Sequence, residues 1–172
     1  RFIEPGSETS RLQRERGWTY WHHLFTPRQL LMHALLLMNI DKSIANVEAK
    51  AAAMLMVGAS CNWNSKLCIW NSNIQKGGGI GVSEQTFANQ ALNTQFNYGT
   101  RAGSLFLSTF ANSLPVVPIF AKNEVTPSSA DSIKQQCDIW ITDPPYADAV
   151  NYHELSEFFL AWYEKLLKKL FP

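Results

Sequence analysis

The residues of this chain best suited to chemistry stand together at Asp143-Pro144-Pro145-Tyr146. An ionised carboxylate accepts hydrogen bonds, and an aromatic ring offers a flat face to a heterocycle. Neither proline has an N–H, and each pushes the residue before it into extended geometry. The acid, the Pro144 carbonyl and the ring are therefore expected on one stiff corner. Before them, Asp138-Ile139-Trp140-Ile141-Thr142 is a short apolar run of strand-forming residues. It predicts a buried strand that stops at Asp143, because proline cannot extend a ladder. In open α/β sheets, ligands bind just outside the carboxyl ends of the strands, where this reading puts Asp143 and Tyr146. Taken alone, the four residues also fit a plain turn after a strand.

Asp143-Pro144-Pro145-Tyr146 resembles the catalytic motif of DNA amino-methyltransferases. These enzymes transfer a methyl group from S-adenosylmethionine to the exocyclic amine of adenine or cytosine. The continuation over residues 147–159 is similar to that of large adenine-specific methylases of the DUF1156 type, and so are residues 21–29 and 77–90. The resemblance implies a catalytic role for Asp143, Pro144, Pro145 and Tyr146. Asp143 would accept one amine N–H and the Pro144 carbonyl the other. The nitrogen lone pair would then be localised and aimed, by positioning and electrostatics. Tyr146 would stack on the target base after it leaves the duplex.

Asp148 and Asn151 lie close to the motif in sequence and are expected to line the substrate pocket, and Arg101 reads as a phosphate contact, which a guanidinium fork matches, or as a surface salt bridge. On the cofactor side the resemblance implies Thr26, Pro27 and Arg28, together with Asp143. The implied fold is α/β, a partial Rossmann-like S-adenosylmethionine-dependent methyltransferase with a helix-rich N-terminal half. The family's glycine motif, a strand followed by Phe-x-Gly-x-Gly, is not found in these residues, and neither is a clear acidic ligand for the cofactor ribose. The expected partners are therefore DNA and the remainder of a longer parent chain, and the segment alone binds cofactor poorly or not at all. The motif does not separate adenine from cytosine N4. Action on RNA, and a non-catalytic nucleic-acid-binding or scaffold segment, are the alternatives.

The elements that must position these residues follow from local signals. The whole is expected to be one domain or part of one: an arm over 1–25, a helical and loop region over 26–137, and the strand, motif and following helix over 138–172. Residues 1–16 are polar, with a turn at Pro5-Gly6, and read as a solvated arm or one short helix from Glu8 to Arg16. Trp18, Tyr20, Trp21 and Phe25 surround His22 and His23. Adjacent histidines lack the spacing of a helical zinc site, so these aromatics are read as core, or as a base-stacking surface. Thr26 and Pro27 start a helix by capping and by proline's fit to the first helical position. Leu30, Leu31, Ala34, Leu35 and Met38 form its apolar face.

A second helix spans Lys42 to Val57, with Val47, Ala51, Met54 and Leu55 on one face, and Gly58 either ends it or packs closely. Gly77-Gly78-Gly79-Ile80-Gly81 reads as a flexible loop near substrate, since it lacks a dinucleotide or P-loop pattern. A partly helical stretch with Phe87, Ala91 and Leu92 comes next, then β-type runs from Ser104 to Phe110 and Leu114 to Phe120. Lys122 to Ser132 reads as a surface loop. Tyr152 or His153 opens an amphipathic helix carrying Leu155, Phe158, Phe159, Trp162, Leu166, Leu167 and Leu170.

Composition sets the outer bounds. The 172 residues suit one domain, and 46% apolar residues can fill a core. A net charge of +1 shows no strong basic footprint for nucleic acid. Cys61, Cys68 and Cys137 form no paired pattern and read as reduced cytoplasmic thiols. No apolar run reaches the roughly 18 residues of a membrane span, and no metal is expected. The first residue is Arg1 and the last is Pro172, directly after a helical pattern, which reads as a fragment of a longer protein.

Overall fold

A computed structural model describes residues 1–68, 70–71, 82–83, 85–87, 126–144 and 150–172. The chain divides into two units, residues 1–112 with 151–172, and residues 113–150. The described residues of the first unit are mainly helical. Helix α1 spans Thr9–Arg16, a single 3-10 turn spans Trp21–Leu24, α2 spans Pro27–Ser43, α3 spans Val47–Asn62 and α4 spans Tyr152–Leu170. Among the described residues the one sheet is a two-residue antiparallel ladder of β1 (Trp70–Asn71) and β2 (Val82–Ser83).

The expected α/β, Rossmann-like fold is not what the described residues form. The run Asp138 to Thr142, expected as the buried central strand, has no strand structure and is exposed throughout. Ile139 and Ile141 are 78% and 93% exposed. A strand takes its hydrogen bonds from a neighbouring strand, and no described residue supplies one here.

The helix limits do follow from local chemistry. Thr26 caps α2 with a reciprocal box. The Gln29 N–H donates to the Thr26 hydroxyl at 3.3 Å, and the Gln29 side chain accepts from the Thr26 N–H at 2.8 Å. Asn46 caps α3 by accepting from the Ala49 N–H at 2.7 Å. Gly17 ends α1 in the left-handed conformation that glycine adopts without penalty. α1 therefore forms where a solvated arm was the other reading.

Two polar rungs fix how α2 and α3 meet. The Gln29 amide donates to Asn64 Oδ1 at 3.3 Å, and His33 Nε2 shares a 3.3 Å hydrogen bond with Ser60. Four residues along α2 match four residues back along α3 and the turn after it, so the pair is antiparallel. The same register carries Ile40 and Ala53 into the apolar half of the contact. Asp41 and Lys50 close the hairpin at 3.3 Å. Gly58 lies inside α3 instead of ending it, and a Cβ there would coincide with the Tyr163 hydroxyl of α4. That close approach is the reason for glycine at this position.

The core gathers Trp21, Leu24, Phe25, Val57 and Cys61 around Phe158. Phe25 stacks on Phe158 with ring centres 5.9 Å apart, and Trp21 meets it edge-on at 5.7 Å. Phe87 reaches the same ring at 5.0 Å. Of the apolar face expected for α2, Leu30 packs against the core but most of the rest does not. Leu31, Leu35 and Met38 are 60%, 48% and 52% exposed, while Gln29, His33 and Ile40 are buried. On α3, Met54 is buried but Val47 and Leu55 are exposed. α2 is apolar nearly all round, so periodicity alone selects no face. The hydrogen-bonding rungs decide which side turns inward.

Candidate functional site

Asp143 and Pro144 lie in the second unit, in a segment, residues 126–144, of which every residue is exposed. Its only helical feature among the described residues is the short turn Ala130–Ser132. The Asp143 carboxylate makes no hydrogen bond or ion pair with any described residue, so its acceptor capacity is uncommitted there. A shallow cleft lined by Gln135, Gln136, Cys137, Asp138 and Trp140 directly precedes the motif in sequence. Pro145, Tyr146, Asp148 and Arg101 lie outside the described residues, as do the Gly77 to Gly81 loop, the β-type runs at 104–110 and 114–120, and most of the stretch 82–96. Asn151 is half-buried at the start of α4 and makes no side-chain cap.

The residues expected on the cofactor side sit in the first unit, at the start of α2. Pro27 occupies its first turn and Arg28 follows, exposed. The Thr26 hydroxyl is engaged as an acceptor in the capping box. Its observed work is structural, whatever else its O–H does.

Two further groups of the helical unit, Glu154 and His33, are shifted by their surroundings. Glu154 is buried, yet it caps α1 instead of its own helix. It accepts from the Thr9 N–H at 2.7 Å, the Glu8 N–H at 3.1 Å and the Ser7 hydroxyl at 3.0 Å. Burial alone would raise its carboxyl. The hydrogen bonds from Thr9, Ser7 and Glu8 outweigh it and hold the group below the usual carboxylate range. Gly6 gives this carboxylate its room, since a Cβ there would collide with it. No local sequence signal marked Glu154 as the cap of a helix so far along the chain.

His33 is fully buried against Phe25 and Trp162, with ring centres 5.7 and 5.1 Å away. Burial pushes it down to about 4, so it is neutral at physiological pH. Its Nδ1 has no partner, and neither do Trp162 Nε1 and Asn64 Nδ2, among the described residues.

His22 and His23 do not build a metal centre. Among the described residues no group of three or more His, Cys, Asp or Glu side chains is placed to hold an ion. His23 Nδ1 instead accepts from the Thr19 and Tyr20 N–H groups at 3.2 and 3.4 Å. Cys61 and Cys68 are buried free thiols, and Cys137 is an exposed one. No helix among the described residues is long and apolar enough to cross a membrane. Comparisons with protein-family models, with curated proteins and with solved structures found no match.

Proposed function

We propose that this chain is the motif-bearing segment of an amino-methyltransferase that methylates adenine N6 in DNA. The observation that carries the reading is Asp143-Pro144-Pro145-Tyr146, with the Asp143 carboxylate exposed and without a partner among the described residues. A carboxylate spent on the fold could not receive a substrate amine. This one follows an exposed run and precedes two residues that cannot flex in φ.

S-adenosylmethionine, when bound, supplies an electrophilic methyl group. The described residues fit only its carboxylate end, through the exposed cation Arg28 at the positive end of α2. Residues for its adenosine are not among them, so the chain's own contribution is to the amine. An exocyclic amine is a weak nucleophile because its lone pair is delocalised into the ring. Asp143 accepts one N–H and the Pro144 carbonyl accepts the other. The lone pair is thereby concentrated on nitrogen and held in line for transfer. Tyr146 stacks on the extruded base. Asp148, Asn151 and Arg101 line the base and its phosphate.

The test is methyl transfer from labelled S-adenosylmethionine to adenine-containing DNA by the full parent chain, beside its Asp143→Ala variant. Transfer by the parent and none by the variant supports the reading. Equal transfer by the two removes Asp143 from the mechanism.

A further inference from the structure

The stretch between α1 and α2 carries a surface that the fold does not consume. Trp21 and Leu24 are buried and pin it to the core, while Tyr20 is 44% exposed and His22 is exposed. Backbone bonds hold the stretch from the other side. The Ile3 N–H donates to the Thr19 carbonyl at 2.9 Å, and Phe2 bridges Tyr20 in antiparallel fashion. His23 locks the bend by accepting from two backbone N–H groups. The outward side chains thus stand on a fixed base.

Next to them two cations gather on Trp18, which is itself partly buried against the core. The Arg16 guanidinium lies 5.4 Å from the centre of the Trp18 ring, and Lys66 Nζ lies 5.5 Å from it. Trp18 therefore holds two positive charges at one place. Lys66 also donates to the His23 carbonyl at 2.9 Å and forms no salt bridge to a described residue. Beside them Tyr20 and His22 stack with ring centres 5.5 Å apart and planes 27° off parallel. Burial, then the like charges of His23 and Lys66 among its neighbours, hold His22 below its ordinary range. It is thus a neutral flat ring at physiological pH, set in a positive neighbourhood.

We propose that Arg16, Trp18, Tyr20, His22 and Lys66 form a binding surface for a nucleic-acid strand. A base extends the Tyr20–His22 stack, and the cations held at Trp18 meet the flanking phosphates. Rings stack on any base, and positive charge tracks the backbone, so the surface favours a single strand without a set sequence. The inference deepens the methyltransferase reading and rests on it for the choice of DNA over RNA.

The test is fluorescence anisotropy of a labelled, adenine-rich single strand with the full chain, without methyl donor, over a salt series. Tyr20→Ala with His22→Ala should weaken binding about 10-fold, the loss of one stacked base. Lys66→Gln should reduce the slope of log affinity against log salt by about 0.7, for one phosphate contact fewer. Unchanged circular dichroism and melting temperature identify a variant whose fold is intact. Equal affinity in parent and folded variants overturns the proposal, and so does a parent that binds no strand at low salt. Variants that lose binding to phosphatidylserine vesicles but not to the strand would assign the surface to a membrane and overturn it too. If the strand binds through these residues but no DNA is ever methylated, the enzymatic reading falls and this surface stands. If methylation persists and the variants bind normally, only the surface falls.

Discussion

In the helical unit, several polar side chains are committed to the fold. Thr26 and Asn46 cap helices, Gln29 and Ser60 form rungs between α2 and α3 or its end, and Glu154 holds the first amides of α1. In residues 126–144 every residue is exposed, and Asp143 holds no described partner. The first region shows what buried polar groups are for when they stabilise a fold. The second shows an acid whose removal should cost the fold little. Chemistry that reverses with each turnover needs an acceptor of the second kind, because a side chain anchoring a helix end cannot release its partners to take up a substrate.

The largest effect expected from this contrast is on activity. Asp143→Ala should lower methyl transfer by roughly 1000-fold or more, the scale of losing a group that acts on the reacting atoms. Its urea midpoint should stay within about 0.5 kcal/mol of the parent, as for an exposed substitution. A large loss of stability would show that Asp143 is structural after all.

Next comes the buried histidine. His33 titrates near 4 when folded, against an ordinary value of about 6.5. As pH falls, the unfolded chain takes the proton first, so stability declines. It is fully present above about pH 6.5 and should drop by on the order of 3 kcal/mol on the way to pH 4. Glu154 adds an acid loss of the same direction at lower pH, since its folded value is depressed. Urea melts over the pH series check both, and His33→Leu should flatten the part above pH 4.

Gly58→Ala tests close packing between α3 and α4. The added methyl meets the Tyr163 hydroxyl, and overpacking of this kind costs about 1–3 kcal/mol. Tyr163→Phe in the same chain should restore part of that in a thermal melt.

The smallest effect sharpens the comparison at its boundary. Thr26→Ala should cost about 1 kcal/mol of stability through the lost cap. Thr26→Ser should keep it. Calorimetric titration with S-adenosylmethionine then separates the roles, because a residue that only caps leaves cofactor affinity unchanged in both variants.

Some of this was legible before any coordinates. The starts of α2 and α4 follow from Thr26-Pro27 and from the apolar spacing after Tyr152, because capping and periodicity act within a few residues. Gly58 was legible as a close contact or an ending, and packing chose the contact. The expected strand at 138–142 failed for the opposite reason. Ile139, Trp140 and Ile141 make a segment fit to be a strand, but a ladder needs a second segment, and nothing local provides it. Asp143-Pro144 stood out by residue type alone, whereas nothing local marked Glu154 as the partner of the α1 amides.

What the amino acids determined by themselves is therefore where α2 and α4 begin. These starts rest on backbone geometry and on hydrogen bonds between residues three or four apart. Only the tertiary structure decided which face of α2 turns inward, which helix Glu154 caps and which aromatics stay at the surface between α1 and α2. Those outcomes depend on partners far along the chain. A side chain with two acceptable neighbours is assigned to one of them only when the rest of the core has taken its place.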